Sequence, residues 1–428
     1  MLLKFRDFAR CFIGSKRAPA SAARICANPC SPAAPVPAVP LPDNDDLLCE
    51  ILLRLPPLPS SLPRASLVCK RWRRLVADPF FLRRFRQHHH RTPPPLLGYF
   101  FCDPHGPVFA STLAPPDCIP PERFSLPRQP AAGERLFFLG CRHGLALLIN
   151  RRRLEAVVWD PVTGCQATVP YPPEFTTDNG AHCCRGTVLS TAATAATADG
   201  VGDEHCLRPF KVILIRTDVN NCCIRVFMCV YESKTGKWGN TISTIIPSPV
   251  WNLPNVLVGD TLCGFLQFPN GILEYDLERH SLGVIQTPKS LHAIDTSLFQ
   301  VVRTQDGELG LAILSELSME LWGRRRKGGS SSSDGVVGWV LEKTIQLDNL
   351  LSLPRMNMVD SNLSATILAF DEDNNAIHLS TSTGGAFAIQ LDSMQFTELF
   401  NVSRSGSYHF CHPYAGFYTA GVPRLSTA

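Results

Sequence analysis

Apolar residues change their spacing twice along the chain. From Leu47 the pattern is helical: Leu47, Leu48, Ile51, Leu52 and Leu55 fall at i, i+1, i+4, i+5 and i+8, a wide stripe over three turns. Asp43, Asp45 and Asp46 precede it, where negative charge suits the helix dipole. Pro56, Pro57 and Pro59 end it. A second helix is predicted after Ser60-Ser61, which offer capping hydroxyls, with Pro63 tolerated in its first turn. Its apolar face runs Leu62, Ala65, Val68, Cys69, Trp72, Leu75 and Val76. Asp78-Pro79 reads as a stop and restart, Asp capping and Pro taking the first helical position. A third short helix then carries Phe81, Leu82 and Phe85 inward, as far as about Gln87. Three short helices bury too little surface to be stable on their own. Their stripes exceed what so small a core can hide, which predicts a partner or docking on the rest of the chain.

After the Pro run at 93–95 the apolar runs become short, alternating or continuous, and are punctuated by Gly, Asn and Asp. That is an all-β texture. One unit recurs: an apolar residue then an acid, a turn, and an apolar residue again. It appears at Trp159-Asp160, Tyr231-Glu232, Tyr275-Asp276 and Leu391-Asp392, answered by Cys165, Trp238, Leu282 and Phe396. In Asp160-Pro161-Val162-Thr163-Gly164 the Asp can form an Asx-turn, the Pro fixes φ and the Gly accepts φ > 0. A second unit is a Gly-led buried strand, in "HGLALLI" from His143, "CGFLQF" from Cys263 and "LGLAIL" from Leu309. Gly264 and Gly310 are 46 residues apart, and Glu232 and Asp276 are 44 apart. A period of about 40–50 residues with four short strands each is that of propeller blades. Residues 96–428 suffice for six or seven blades, with insertions expected at 171–209 and 324–335 as mobile loops. A two-sheet sandwich array is the alternative architecture.

Charge divides the chain at the same place. Residues 1–91 hold 16 Lys/Arg against 6 Asp/Glu, and the remainder 25 against 31, so a basic front and a mildly acidic body are expected to meet different partners. Residues 1–40 combine six Lys/Arg with many Ala, Ser and Pro. They read as a disordered leader, with an organellar transit segment as the other reading. The 17 cysteines are odd in number and irregular in spacing, and they include the adjacent pairs Cys183-Cys184 and Cys222-Cys223. They are expected as reduced, mostly buried thiols of a cytoplasmic or nuclear protein. No apolar run reaches the ~18 residues of a membrane helix.

"LPDNDDLLCEILLRL" followed by "LPRASLVCKRWRRLVADPFF" resembles an F-box, with Asn44-Asp45 and Pro63 departing slightly from the usual pattern. The resemblance covers residues 41 to about 85. It implies docking on a Skp-type adaptor and through it a cullin, with the rest of the chain presenting an unknown protein substrate for ubiquitination. The contact set it implies is Leu41, Pro42, Leu47, Leu48, Ile51, Leu55, Val68 and Cys69, with Trp72 bracing the helices. Internal core is the other use of each. The body is similar in texture to the F-box-associated β-propellers of plant proteins, although the kelch mark, a double Gly followed by spaced Tyr and Trp in each blade, is absent. The expectation is therefore an α+β multidomain chain: leader 1–40, a three-helix F-box at 41–90, a linker at 91–95 and a β-propeller-like substrate-recruiting domain at 96–428.

The chemistry of a catalyst is not visible. There is no G-x-S-x-G, H-E-x-x-H or G-x-x-x-x-G-K-[ST] pattern, and no cofactor is expected. His182, Cys183, Cys184, His205 and Cys206 lack the paired spacing zinc favours, His409-Phe410-Cys411-His412 reads as a strand edge, and no metal is expected. "GRRRKGG" at 323–329 reads as a basic loop tip, with a nuclear-import patch as the alternative. Arg64–Arg84 carries seven Lys or Arg against Asp78 alone, so a nucleic-acid-binding scaffold using the basic 64–91 segment is the competing function. Base-reading Asn or Gln are missing from it before Gln87, and a basic helix equally suits an acidic protein partner.

Overall fold

The computed structural model describes residues 45–89, 94–103, 106–126, 134–176, 184–191, 207–219, 223–250, 254–267, 271–288, 298–327, 336–351, 364–382, 385–399 and 411–418. The leader, Leu41 and Pro42 lie outside them.

Among the described residues the front of the chain forms a helical head of four helices, where the spacing predicts three: α1 (Asp45–Leu53), α2 (Ser61–Ser66), α3 (Lys70–Ala77) and α4 (Pro79–His89). The expected second helix is broken at Leu67–Cys69. The Ser66 hydroxyl donates to the Pro63 carbonyl at 2.6 Å, a local bond that competes with helix continuation. The Leu67 and Val68 amides close the turn on Arg64 and Ala65, and Cys69 is extended before α3 restarts. Asp78 caps as expected, its carboxylate accepting from the Phe81 amide at 3.0 Å. Leu48, Leu52, Leu53, Leu62, Ala65, Val76, Phe81 and Phe85 make one buried cluster, with Trp72 and Leu75 packed against it. Each large side chain buried there stabilises the head by about 1.5–3 kcal/mol.

The body is a six-bladed propeller. Its first sheet holds β1 (Leu96–Asp103) and β2 (Gly106–Ser111). The second is β3 (Leu136–Arg142), β4 (Leu145–Asn150), β5 (Glu155–Trp159) and β6 (Gln166–Pro170). The third is β7 (Cys184–Ser190), β8 (Phe210–Val219), β9 (Ile224–Glu232) and β10 (Lys237–Trp238), with β11 (Ile242–Ile246) also on β9. The fourth is β12 (Val256–Val258), β13 (Thr261–Phe265), β14 (Ile272–Asp276) and β15 (Ser281–Ile285). The fifth is β16 (Phe299–Arg303), β17 (Leu309–Ser315), β18 (Ser318–Lys327) and β19 (Val336–Gln346). The sixth is β20 (Ala365–Asp371), β21 (Ala376–Thr381), β22 (Ala386–Gln390) and β23 (Phe396–Glu398). The last strand, β24 (Cys411–Ala415), pairs antiparallel with β1 and so completes the first blade. The Cys141 thiol of β3 donates to the Pro413 carbonyl and the Cys411 thiol to the Leu368 carbonyl on β20. Strand β24 is thereby held between the first and last complete sheets.

Both sequence units are blade parts. The Gly-led runs give β4, β13 and β17, the second strands of their blades. β4 is buried along its whole length and β17 along all but its last residue. Packed between neighbouring sheets they are covered on both faces, which is why they read as continuous apolar runs. A Cβ at Gly264 would lie 2.2 Å from the side-chain oxygen of Asn255, so a larger residue there makes that side chain move. The apolar–acid unit is the hairpin between third and fourth strands in blades two, three, four and six. In blade two, the Asp160 carboxylate accepts from the Val162 amide at 2.9 Å and the Thr163 amide at 3.3 Å. Gly164 has φ 79° and its amide returns to the Asp160 carbonyl. Asp160→Ala removes a buried charged acceptor from two amides and is expected to cost about 1.5–3 kcal/mol, read as a fall in the urea midpoint.

Two expectations are corrected. The segment 171–209 is not wholly a loop, because Cys184–Ser190 forms β7 and pairs along its length with β8. Its apolar Val188 and Leu189 are buried against that partner. Likewise Arg324–Lys327 are strand residues at the end of β18, paired with β19, and not a loop tip. Only Val188 and Leu189 make a continuous apolar pair in this strand, and the Ala/Thr-rich run that follows hides it in the sequence.

Candidate adaptor-docking site

The apolar stripe of α1 divides. Leu48 and Leu52 turn inward, and Leu48 is only 2 % exposed, so its side chain serves the head's own core. Leu47, at 47 %, and Ile51 face solvent, and Leu55 is half-buried against the core cluster. The break between α2 and α3 has the same effect. It lifts Leu67 and Val68 out of any helix face and leaves them 74 % and 57 % exposed, with Cys69 exposed beside them. Phe80, in the first turn of α4, is exposed too. An exposed large apolar side chain on its own is ordinary. With Leu58 these make six among the described residues of the head, a surplus, since a module this small needs its apolar residues inside.

Polar contacts stiffen the helices that carry these residues. Arg84 on α4 pairs with Glu50 on α1 at 2.7 Å. The His89 ring and the Leu53 carbonyl are 2.9 Å apart. The Ser60 amide donates to Asp117 of the body at 2.9 Å. Trp72 packs on the head's cluster, the bracing place expected of it. Lys70, Arg73 and Arg74 follow the exposed Leu67–Cys69 stretch on α3 and give the surface a basic flank. Leu67 and Phe80 were missed by the sequence reading. Leu67 lay off the face drawn for one continuous helix, and Phe80 stood beside Phe81, which took the inward role.

With this geometry in view, comparison with known proteins is informative for the head alone. Residues 44–84 match the F-box domain family. An F-box implies a Skp-type adaptor as partner and, through it, a cullin. No curated protein matches the chain. Among solved structures the chain is similar to YCF48 bound to D1 peptide (12 % identity, 74 % of this chain and 85 % of that one, TM-score 0.36). It is also similar to the PQQ-bound aldose sugar dehydrogenase of Streptomyces coelicolor (10 %, 61 % and 80 %, TM-score 0.29). A third is the extracellular domain of a one component system from B. thetaiotaomicron (15 %, 63 % and 28 %, TM-score 0.27). The chain spans only 28 % of that last protein's length, and none of these likenesses bears on function.

The polar centre of the body was not anticipated from the sequence. Arg142, at the end of β3, makes a two-pronged pair with Glu372, which follows β20. Nε lies 2.7 Å from Oε2, and Nη2 also reaches Oε1. The same guanidinium donates to Thr187 on β7 and to the Asn255 carbonyl before β12. Glu372 in turn accepts from the Leu257 amide at 2.8 Å, and its carbonyl accepts from Arg303 of β16 at 2.7 Å. Five blades therefore meet at one ion pair. Next to it Asp373 has its pKa raised to about 6, first by burial and then by the neighbouring acids. Among the described residues no cluster of three or more His, Cys, Asp or Glu could hold a metal. Of the imagined zinc group only Cys184 is described, buried in β7. No described helix is long and apolar enough to cross a membrane.

Proposed function

We propose that the chain is the substrate-recruiting subunit of a Skp–cullin–F-box ubiquitin ligase. The head docks on the adaptor and the propeller, of the kind that accompanies F-boxes in plants, holds a protein target for ubiquitination and degradation. The observation that carries this is the exposed apolar set Leu47, Ile51, Val68 and Cys69, with Leu55 at its edge, on a head that matches the F-box. Leu41 and Pro42 belong to the same proposed set through the motif. Leu48 supports it from inside the core. The chain itself makes and breaks no bond. Its contribution is positional, since holding the target beside the carried ubiquitin raises the effective concentration of the reacting lysine. The basic flank on α3 steers an acidic adaptor, raising the on-rate more than the affinity. Residues 1–40 as a leader, 91–95 as a linker, and a cytoplasmic or nuclear location complete the proposal.

The test uses the full chain and a purified Skp-type adaptor. Leu47→Asp with Ile51→Asp places two charges on exposed positions, so the thermal unfolding of the body should not move. Adaptor affinity is expected to fall at least tenfold, because each buried charge without a partner is costly. A double variant that binds as tightly as its parent overturns the proposed contact face.

A further inference from the structure

Blade five has an outer strand unlike those of its neighbours. β19 runs 11 residues, where the outer strands β6, β15 and β23 have 5, 5 and 3. Its inner edge pairs with β18, and among the described residues no strand pairs with its outer edge. The hairpin also outgrows its blade. β17 pairs with β18 only as far as Gly310↔Gly323, whereas β18 and β19 continue from Arg324↔Trp339 to Lys327↔Val336. A two-stranded ribbon therefore projects beyond a four-stranded sheet. Ribbons of that kind are marginal in water unless something covers them.

Proteins blunt exposed edges with charges, Pro or bulges. Here the one irregularity lies between Leu321 and Trp322, opposite Leu341 and Lys343. The stretch before it, Val337–Leu341, is left regular. It contains no charge and no Pro, and Val337, Val340 and Leu341 are exposed. Trp339 is anchored on blade four, its indole N–H donating to the Gln286 carbonyl at 2.7 Å, which holds the ribbon in place. By sequence and register, five bases lie along this ribbon against three acids. Across the ribbon stand Arg324, Arg325, Arg326 and Lys327, and exposed Lys343 follows on β19 itself. Glu274, Asp306 and Glu342 are the acids paired with Arg324 and Arg325.

We propose that the outer edge of β19, over Val337–Leu341, captures an extended, acid-flanked apolar segment of the target protein as an added β-strand. This rests on the reading that the body recruits targets, and it names the class of target sequence. Main-chain bonds along the edge supply affinity, and the exposed Val and Leu side chains meet alternate residues of the incoming strand. The strand β18 that carries those bases sits one strand further away, roughly 10 Å from an added strand. That is about a Debye length at 0.1 M salt, so it favours acidic flanks and speeds capture without forming the contact itself.

The test is a selection of displayed ten-residue peptides against the full chain, free of adaptor. Enriched peptides are expected to alternate apolar residues within Asp/Glu flanks. Val340→Lys with Leu341→Lys, both at exposed positions, is expected to weaken the best of them at least tenfold. N-methylation of alternate peptide amides should abolish binding in one phase and spare it in the other, as only strand addition requires. Bound peptide should slow hydrogen exchange at Val337–Leu341. Selection that yields no binders, or binders indifferent to the double Lys variant, overturns the proposal, as does an RNA oligonucleotide that displaces them through the same residues. Adaptor binding is read separately and is unaffected by either result.

Discussion

Arg142→Ala is expected to lower the stability of the propeller by about 3–5 kcal/mol, the usual cost of removing one partner of a buried ion pair. The guanidinium is 8 % exposed and its carboxylate partner 19 %, so water can do little to rescue either. The loss is large because the bonds are shared. Removing Arg142 strips Glu372 of its two-pronged partner, Thr187 of a donor and the Asn255 carbonyl of another. The half-buried Glu372 carboxylate is then left beside Asp371 and Asp373 with the Leu257 amide as its donor, since Arg303 bonds the Glu372 backbone carbonyl instead. The penalty is for the orphaned charge and not for the worth of the pair. Arg142→Met with Glu372→Gln, which removes both charges and keeps the volume, is therefore expected to recover at least half of the loss. Urea unfolding followed by tryptophan fluorescence checks both variants. A single variant within 1 kcal/mol of the parent contradicts the reading of this pair as the joint of five blades.

The contrast between what was legible and what was not follows from range. The head was readable because its signals are local: a capping Asp before Pro79, a stripe at helical spacing, a Pro stop. The break at Leu67–Cys69 escaped because it depends on Ser66 folding back on Pro63, and a helical face can be drawn through it on paper. The blades were readable because one hairpin recurs, marked by Asp160, Glu232, Asp276 and Asp392, and the 44 residues from Glu232 to Asp276 give the length of one blade. The number of blades was not, since β7 sits among Ala/Thr-rich residues, and the first blade takes β1 and β2 from one end of the body and β24 from the other. The Arg142–Glu372 pair spans 230 residues. In the sequence Arg142 precedes a Gly-led strand and Glu372 stands in an acidic turn, and neither context announces the other. Of the six described positions implied by the F-box resemblance, Leu48 is the one turned into the core, because a stripe of five residues does not say which of its edges the core will use.

Acidification supplies the second large effect, and it arises where the ring closes. His378 on β21 is fully buried, and its Nδ1 lies 2.6 Å from the hydroxyl of buried Tyr99 on β1. Burial drives the His378 pKa down to about 3 and raises that of Tyr99 well above the phenol range. The neutral phenol thus donates to a neutral imidazole, tying the last blade to the first. His412 on β24 is likewise buried, and burial with Arg142 nearby takes its pKa down to about 4. The unfolded imidazole titrates near 6.5. Below that pH the unfolded chain binds protons that the folded ring refuses, so stability falls as pH drops from about 6.5 toward the folded values. At pH 5 each buried His costs roughly 2 kcal/mol relative to pH 7.5. Asp373, raised to about 6, acts with the opposite sign. It is protonated sooner in the folded chain and offsets about 1 kcal/mol at pH 5, and Asp371, also raised by burial, adds in the same direction. The comparison that isolates the imidazole is therefore between variants. His378→Gln should start less stable at pH 7.5, having lost the Tyr99 bond, yet lose about 2 kcal/mol less than the parent on going to pH 5. Parallel stability–pH curves for the two chains would mean that His378 takes up its proton without opening the seam between the first and last blades.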